Sequence, residues 1–179
     1  MKSASMLKAA FNKPTAALIL AAGLALSSAG IATAAPVETG TSQLANASAN
    51  ASCTVPAKEN LAIAKQIYKI TQQRKATARV LLATFEAAWV ESHVNNLNCG
   101  DSDSLGVFQQ RPSQGWGSQA QVTNVDYATN KFLDQAIKND KGFSGTAGQL
   151  AQSVQRSGYP DRYDQAKAKA ESIIAEAKK

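Results

Sequence analysis

The 179-residue chain holds one histidine and two cysteines. Three such residues cannot complete a closed structural zinc site, which takes four nitrogen or sulfur ligands, so no metal is expected and no other cofactor is implied. The lone His93 also lacks an evident partner serine and orienting carboxylate, which argues against a Ser-His-Asp arrangement. It reads as a loop or helix-end residue. No block of like charge occurs, no internal repeat is found, and strand-like alternation is nearly absent, so a mainly α class is expected.

Long apolar runs are scarce as well. One spans Ala16 to Leu26, after Lys2, Lys8 and Lys13 and before Ala32-Thr33-Ala34. A basic start, a short apolar run and a small-residue cleavage site make residues 1–35 a secretory signal peptide. The run falls short of the ~20 apolar residues that a membrane span needs. An exported protein without stable membrane insertion is therefore expected, with a retained signal anchor as the alternative. The formal charge of +6 belongs to the whole chain; without residues 1–35, sixteen basic residues face thirteen acidic ones, a net +3. That mild excess suits an anionic envelope polymer and does not argue for nucleic acid.

Residues 36–52, PVETGTSQLANASANAS, carry a single large aliphatic, Leu44. Such a stretch buries too little apolar surface to offset its ordering entropy, so it reads as a flexible linker. Residues 53–179 then form one domain, expected as a monomer. The even cysteine pair of an exported chain is most simply a disulfide, Cys53 to Cys99, tying the domain's start to the loop after Glu91.

The remaining pattern is helical. Pro56 opens a run with Leu61, Ala64, Ile67, Tyr68 and Thr71 at helical spacing. Ala76 to Glu91 is apolar nearly all round, as a buried central helix is. Asn124 is placed to cap a helix through Tyr127, Phe132 and Ala136, ended by Lys141-Gly142. Thr146 starts a short helix that stops before Gly158-Tyr159-Pro160, and Asp161 begins a last one with Tyr163, Ile173 and Ile174. A short loop or hairpin excursion is expected between Cys99 and Gln110.

The chemistry-bearing stretch is Phe85 to Trp116, FEAAWVESHVNNLNCGDSDSLGVFQQRPSQGW. Glu91 closes the apolar helix beside Val80, Leu81, Leu82, Phe85, Ala88 and Trp89, where desolvation raises a carboxyl's pKa and keeps it protonated. A general acid needs that state near neutral pH. Glu86 lies five residues earlier, about 140° away around the helix axis. It is expected to face elsewhere, paired to Arg111, Arg79 or a hydroxyl. Phe108, Gln109, Gln110 and Trp116 are the rings and amides a saccharide groove would use.

Glu91-Ser92 is followed at fifteen residues by Gly106, with Val107 and Phe108, and at eighteen by Gln109. This pattern resembles the soluble lytic transglycosylase and goose-type lysozyme family, and DSLGVFQQRPSQGWG is similar to small secreted actinobacterial transglycosylase-like proteins. The resemblance implies a lysozyme-like fold and cleavage of the β-1,4 MurNAc-GlcNAc bond of peptidoglycan glycan strands, with Glu91 as acid and Ser92 as a helper that orients it. The family's Tyr-Asn-Ala-Gly turn is absent; Gln155 and Tyr159, within VQRSGY, are the expected substitutes in sugar binding. Asp101 and Asp103 read individually as turn caps, yet they are the acids of this stretch that a hydrolase would need as a second carboxylate. Without them, a lone Glu works as a lytic transglycosylase, forming 1,6-anhydro ends. The alternative function is non-catalytic: a wall-binding or structural protein of the same fold.

Overall fold

A computed structural model describes residues 53–179, and the expected signal peptide at 1–35 and linker at 36–52 lie outside the described residues. The described chain is mainly helical. Helix α1, Leu61–Gln73, starts at Asn60, whose Oδ1 accepts the N–H groups of Ala62 and Ile63. Pro56 lies before the helix rather than opening it, because Asn60 supplies the side-chain cap that satisfies the first orphan donors. Ala64, Ile67, Ile70 and Thr71 form the buried face of α1.

Helix α2, Ala78–Ser92, is capped by Thr77, and its residues from Ala83 to Ala88 are all buried. Such a helix needs neighbours on every side. Helices α4, Val125–Asp140, α5, Ala147–Gln155, α6, Arg162–Gln165, and α7, Lys167–Ala177, all pack against it. Asn124 caps α4 by accepting the Tyr127 N–H at 3.0 Å, and Thr146 with Gln149 forms a reciprocal capping box on α5. A second box, Ser118 with Gln121, starts the four-residue α3, Gln119–Val122.

The expected last helix is two. Ala166 donates its N–H to both Arg162 and Tyr163, so the ladder tightens for one residue and separates α6 from α7. Between Cys99 and Gln110 the expected hairpin reduces to one isolated antiparallel bridge, Leu105 with Gln110, and no strand occurs among the described residues. The Cys53–Cys99 disulfide is present and spans 46 residues of sequence. Loop-closure entropy values such a link at about 4 kcal/mol. None of the helices among the described residues is long and apolar enough to cross a membrane.

Glu86 departs most sharply from expectation. It is fully buried, and neither carboxylate oxygen has a hydrogen-bond partner. The two candidate arginines are engaged elsewhere: Arg79 with Asp140 at 2.6 Å and Arg111 with Asp103 at 2.7 Å. Burial pushes the Glu86 pKa up to about 8; the Asp164 carboxylate adds to the rise, Lys167 opposes it, and Glu171 adds again. In the unfolded chain the group titrates near 4.5. Between these values the folded protein holds a proton that the unfolded chain has released, so raising the pH removes stability, at up to ~1.4 kcal/mol per pH unit. Thermal unfolding of wild-type and Glu86→Gln across this window should show the substituted protein gaining on the wild type as pH rises. Parallel curves would mean that Glu86 ionises in the folded state as freely as in the unfolded chain.

Candidate functional site

Glu91 is the penultimate residue of α2, and the chain reverses directly after it. His93 and Val94 both take left-handed backbone conformations, φ 51° and 59°, returning their N–H groups to Trp89 and Ala88. A β-branched residue in that region is strained, and full burial of Val94 helps to hold it there. The His93 ring stacks on Trp89, with centroids 4.1 Å apart, and its Nδ1 lies 2.8 Å from the Pro56 carbonyl oxygen. Its place is at the helix end.

The reversal lays the loop back over the end of α2, where Ser92 secures it. The buried Ser92 hydroxyl donates to the Val107 carbonyl at 2.7 Å, with Ala88 as a second, longer acceptor, and accepts the Asn95 N–H. These bonds run to the loop and the helix backbone rather than to the Glu91 carboxyl, so Ser92 fixes the wall facing the acid instead of orienting the acid itself. Gly106 is required at φ 79°: a Cβ there would lie 2.0 Å from the Val122 carbonyl oxygen. Gln109, at φ 47°, folds its amide back to donate to the carbonyls of Cys99 and Gly106. The disulfide loop and the turn are thereby joined.

A groove of about 600 Å³ opens in front of this turn. Ser104, Gln109, Gln110 and Trp116 line it from the loop, Lys131 and Gln135 from α4, and Ser153 to Ser157 from the end of α5, with Glu91 in the lining. Glu91 is partly buried. Desolvation raises its pKa; hydrogen bonds from Tyr163 and Gln155 and the charge of Arg162 pull it down, and burial prevails. The Tyr163 hydroxyl donates to Glu91 Oε1 at 2.6 Å from a fully buried ring. Burial and the facing carboxylate drive the tyrosine's own pKa upward, so it remains a donor.

Several expected site residues lie elsewhere. The side chain of Phe108 is fully buried and stacks on Phe132 at 5.0 Å, so it belongs to the core; only its carbonyl, accepting from Gln155 at 2.9 Å, works near the groove. Tyr159 is 70% exposed and absent from the lining, with the Arg162 guanidinium 6.0 Å from its ring centre. Asp101 is exposed and outside the groove. Asp103 is outside it as well, bonded to Arg111 and to Ser113, and these partners hold its carboxyl well below the usual range. Gln109, Trp116 and Gln155 do line it, whereas Gln110, expected to bind sugar, borders it but is only 2% exposed, and its amide donates to the Ala128 carbonyl, so it braces the wall from behind. The sequence pattern marks Tyr163 only as a member of the last helix. The available signal was a phenol among Ala166, Ala170, Ile173 and Ile174, since a buried Tyr hydroxyl usually needs a partner.

No family model matches the chain, and no curated protein matches it. Chemically, the groove offers one carboxyl whose pKa burial raises above the ordinary value, held by a phenol that steadies the carboxylate once the proton leaves. Removing that phenol should leave burial less opposed. A carbon-13 NMR titration of the Glu91 carboxyl should therefore midpoint above that of free glutamate, and higher again in Tyr163→Phe. An unchanged or lower midpoint in Tyr163→Phe would show that the hydroxyl does not stabilise the carboxylate.

Proposed function

We propose that this protein is an exported, lysozyme-like peptidoglycan glycosidase that cleaves the β-1,4 link between N-acetylmuramic acid and N-acetylglucosamine with Glu91 alone as acid and base. The observation that carries this reading is the lone carboxyl: Glu91 is the one acidic residue in the groove lining, and its pKa is raised by burial. The Glu91-Ser92, Gly106 and Gln109 resemblance to lytic transglycosylases supports it. The Cys53–Cys99 disulfide is in keeping with export.

In this reading the Glu91 proton passes to the glycosidic oxygen as the bond from that oxygen to the sugar C1 breaks. The leaving sugar departs with a free 4-hydroxyl, and C1 carries the developing positive charge. The Glu91 carboxylate, held by Tyr163, then takes the proton of the same ring's 6-hydroxyl, whose oxygen closes on C1. A 1,6-anhydro end results, no water is consumed, and Glu91 is again protonated. Hydrolysis would need a second carboxylate to activate water or form a covalent intermediate. The exposure of Asp101 and the engagement of Asp103 by Arg111 and Ser113 leave neither well placed for that role. Gln109, Trp116 and Gln155 would meet the sugars, with the indole stacking on a ring face and the two amides, which already hold backbone carbonyls, offering their remaining polar atoms to hydroxyl and N-acetyl groups.

Glu91→Gln preserves shape but removes the transferable proton. Release of soluble fragments from purified cell-wall sacculi should fall by ~10²-fold or more, the usual contribution of a general acid, while the melting temperature stays close to that of wild type. Wild-type protein that binds sacculi but releases nothing at any pH would contradict the enzymatic reading and favour a wall-binding role.

A further inference from the structure

The charges around the groove are unequal. Besides Glu91, the ionisable side chains in the lining are Arg111, Lys131 and Arg156. Arg111 is neutralised by its ion pair with Asp103 at 2.7 Å. The other two have no carboxylate within ion-pair distance among the described residues. They stand on different walls. Lys131 rises from α4, its ammonium 5.5 Å from the centre of the Tyr127 ring. Arg156 stands at the end of α5 at φ 55°, a helix-ending conformation that glycine takes with least strain. A long cationic side chain occupies that position instead, next to Gln155, whose amide donates to the Phe108 carbonyl at 2.9 Å.

Two cations on one groove, neither with a carboxylate partner among the described residues, favour an anionic ligand over a neutral one. Carboxylates accept hydrogen bonds from both ammonium and guanidinium groups, and such charge-assisted bonds are the stronger kind. A glycan strand of sugars alone is neutral. The peptidoglycan strand is not, because it bears carboxylates on its lactyl ether or on the peptide stem attached there.

We propose that Lys131 and Arg156 form a carboxylate-recognition pair that makes the groove select acid-bearing glycan strands over neutral ones. This inference rests on the glycosidase reading for the identity of the strand, but its test requires no turnover. Binding is measured by co-sedimentation of the Glu91→Gln protein with purified sacculi. One batch of sacculi is native, a second has its carboxylates blocked as neutral amides by carbodiimide coupling, and the soluble strands that an amidase frees from their stems, which keep the lactyl carboxylate, are added as competitors of binding to native sacculi.

Adding Lys131→Gln and Arg156→Gln together should weaken binding to native sacculi about tenfold or more. Blocking the carboxylates should weaken the parent protein by a similar factor and leave the doubly neutralised protein almost unchanged. Lys138→Gln, on α4 but outside the groove lining, serves as the control for general charge. Arg156→Gly suits the backbone better than arginine, so weakened binding in that variant cannot be attributed to misfolding. Competition by the stem-stripped strands would assign recognition to the lactyl carboxylate, and its absence would assign it to the stem; both uphold the pair's role. Equal binding to native and blocked sacculi, or a loss no larger than that of Lys138→Gln, would overturn it. Wild-type protein that discriminates by carboxylate yet cleaves no sacculi would overturn the glycosidase reading alone.

Discussion

The buried Ser92 hydroxyl joins two parts of the chain that must meet for a groove to exist. On one side is the end of α2, which carries Glu91; on the other is the Gly106 to Gln109 turn, reached through the 2.7 Å bond to the Val107 carbonyl. The neighbouring constraints depend on that junction. His93 and Val94 accept left-handed conformations so that the chain can return, Gly106 has no side chain because the Val122 carbonyl sits where one would be, and Gln109 binds the carbonyl of disulfide-linked Cys99. The fifteen-residue interval between Ser92 and Val107 is thus a geometric requirement. It sets how much loop is needed to pass from the helix end to the turn that faces it.

Two glutamates of one helix meet different fates for the same physical reason. Both lose hydration, and both are driven towards the neutral form. Glu91 borders the groove and has Tyr163 and Gln155 against it, so its charged form remains attainable. Glu86 has no hydrogen-bond partner and faces the acidic Asp164 and Glu171 as well as Lys167. A proton donor must also be able to hold the charge it leaves behind, and only Glu91 is equipped for that.

Local signals were legible in the sequence. Asn124 and Thr146 carry their caps within three residues, and the apolar run leading to Glu91 marks the central helix as buried. Signals that depend on distant parts of the chain were not legible. Phe108 could stack on a sugar or on another ring, and Phe132, from α4, decided it. Tyr163 meets Glu91 across 72 residues of sequence. The orphaned state of Glu86 follows from both candidate arginines finding aspartates, at Asp140 and Asp103. The break at Ala166 carries no proline or glycine to announce it.

Everything proposed about catalysis turns on a single carboxyl doing the work of two. Cleavage of sacculi in water enriched in oxygen-18, followed by mass analysis of the fragments, tests this most directly. An acid that recovers its proton from the sugar's own 6-hydroxyl yields 1,6-anhydro ends without the heavy isotope. Reducing ends carrying oxygen-18 would contradict the account, because they require an activated water and hence a second catalytic group that the groove lining does not provide.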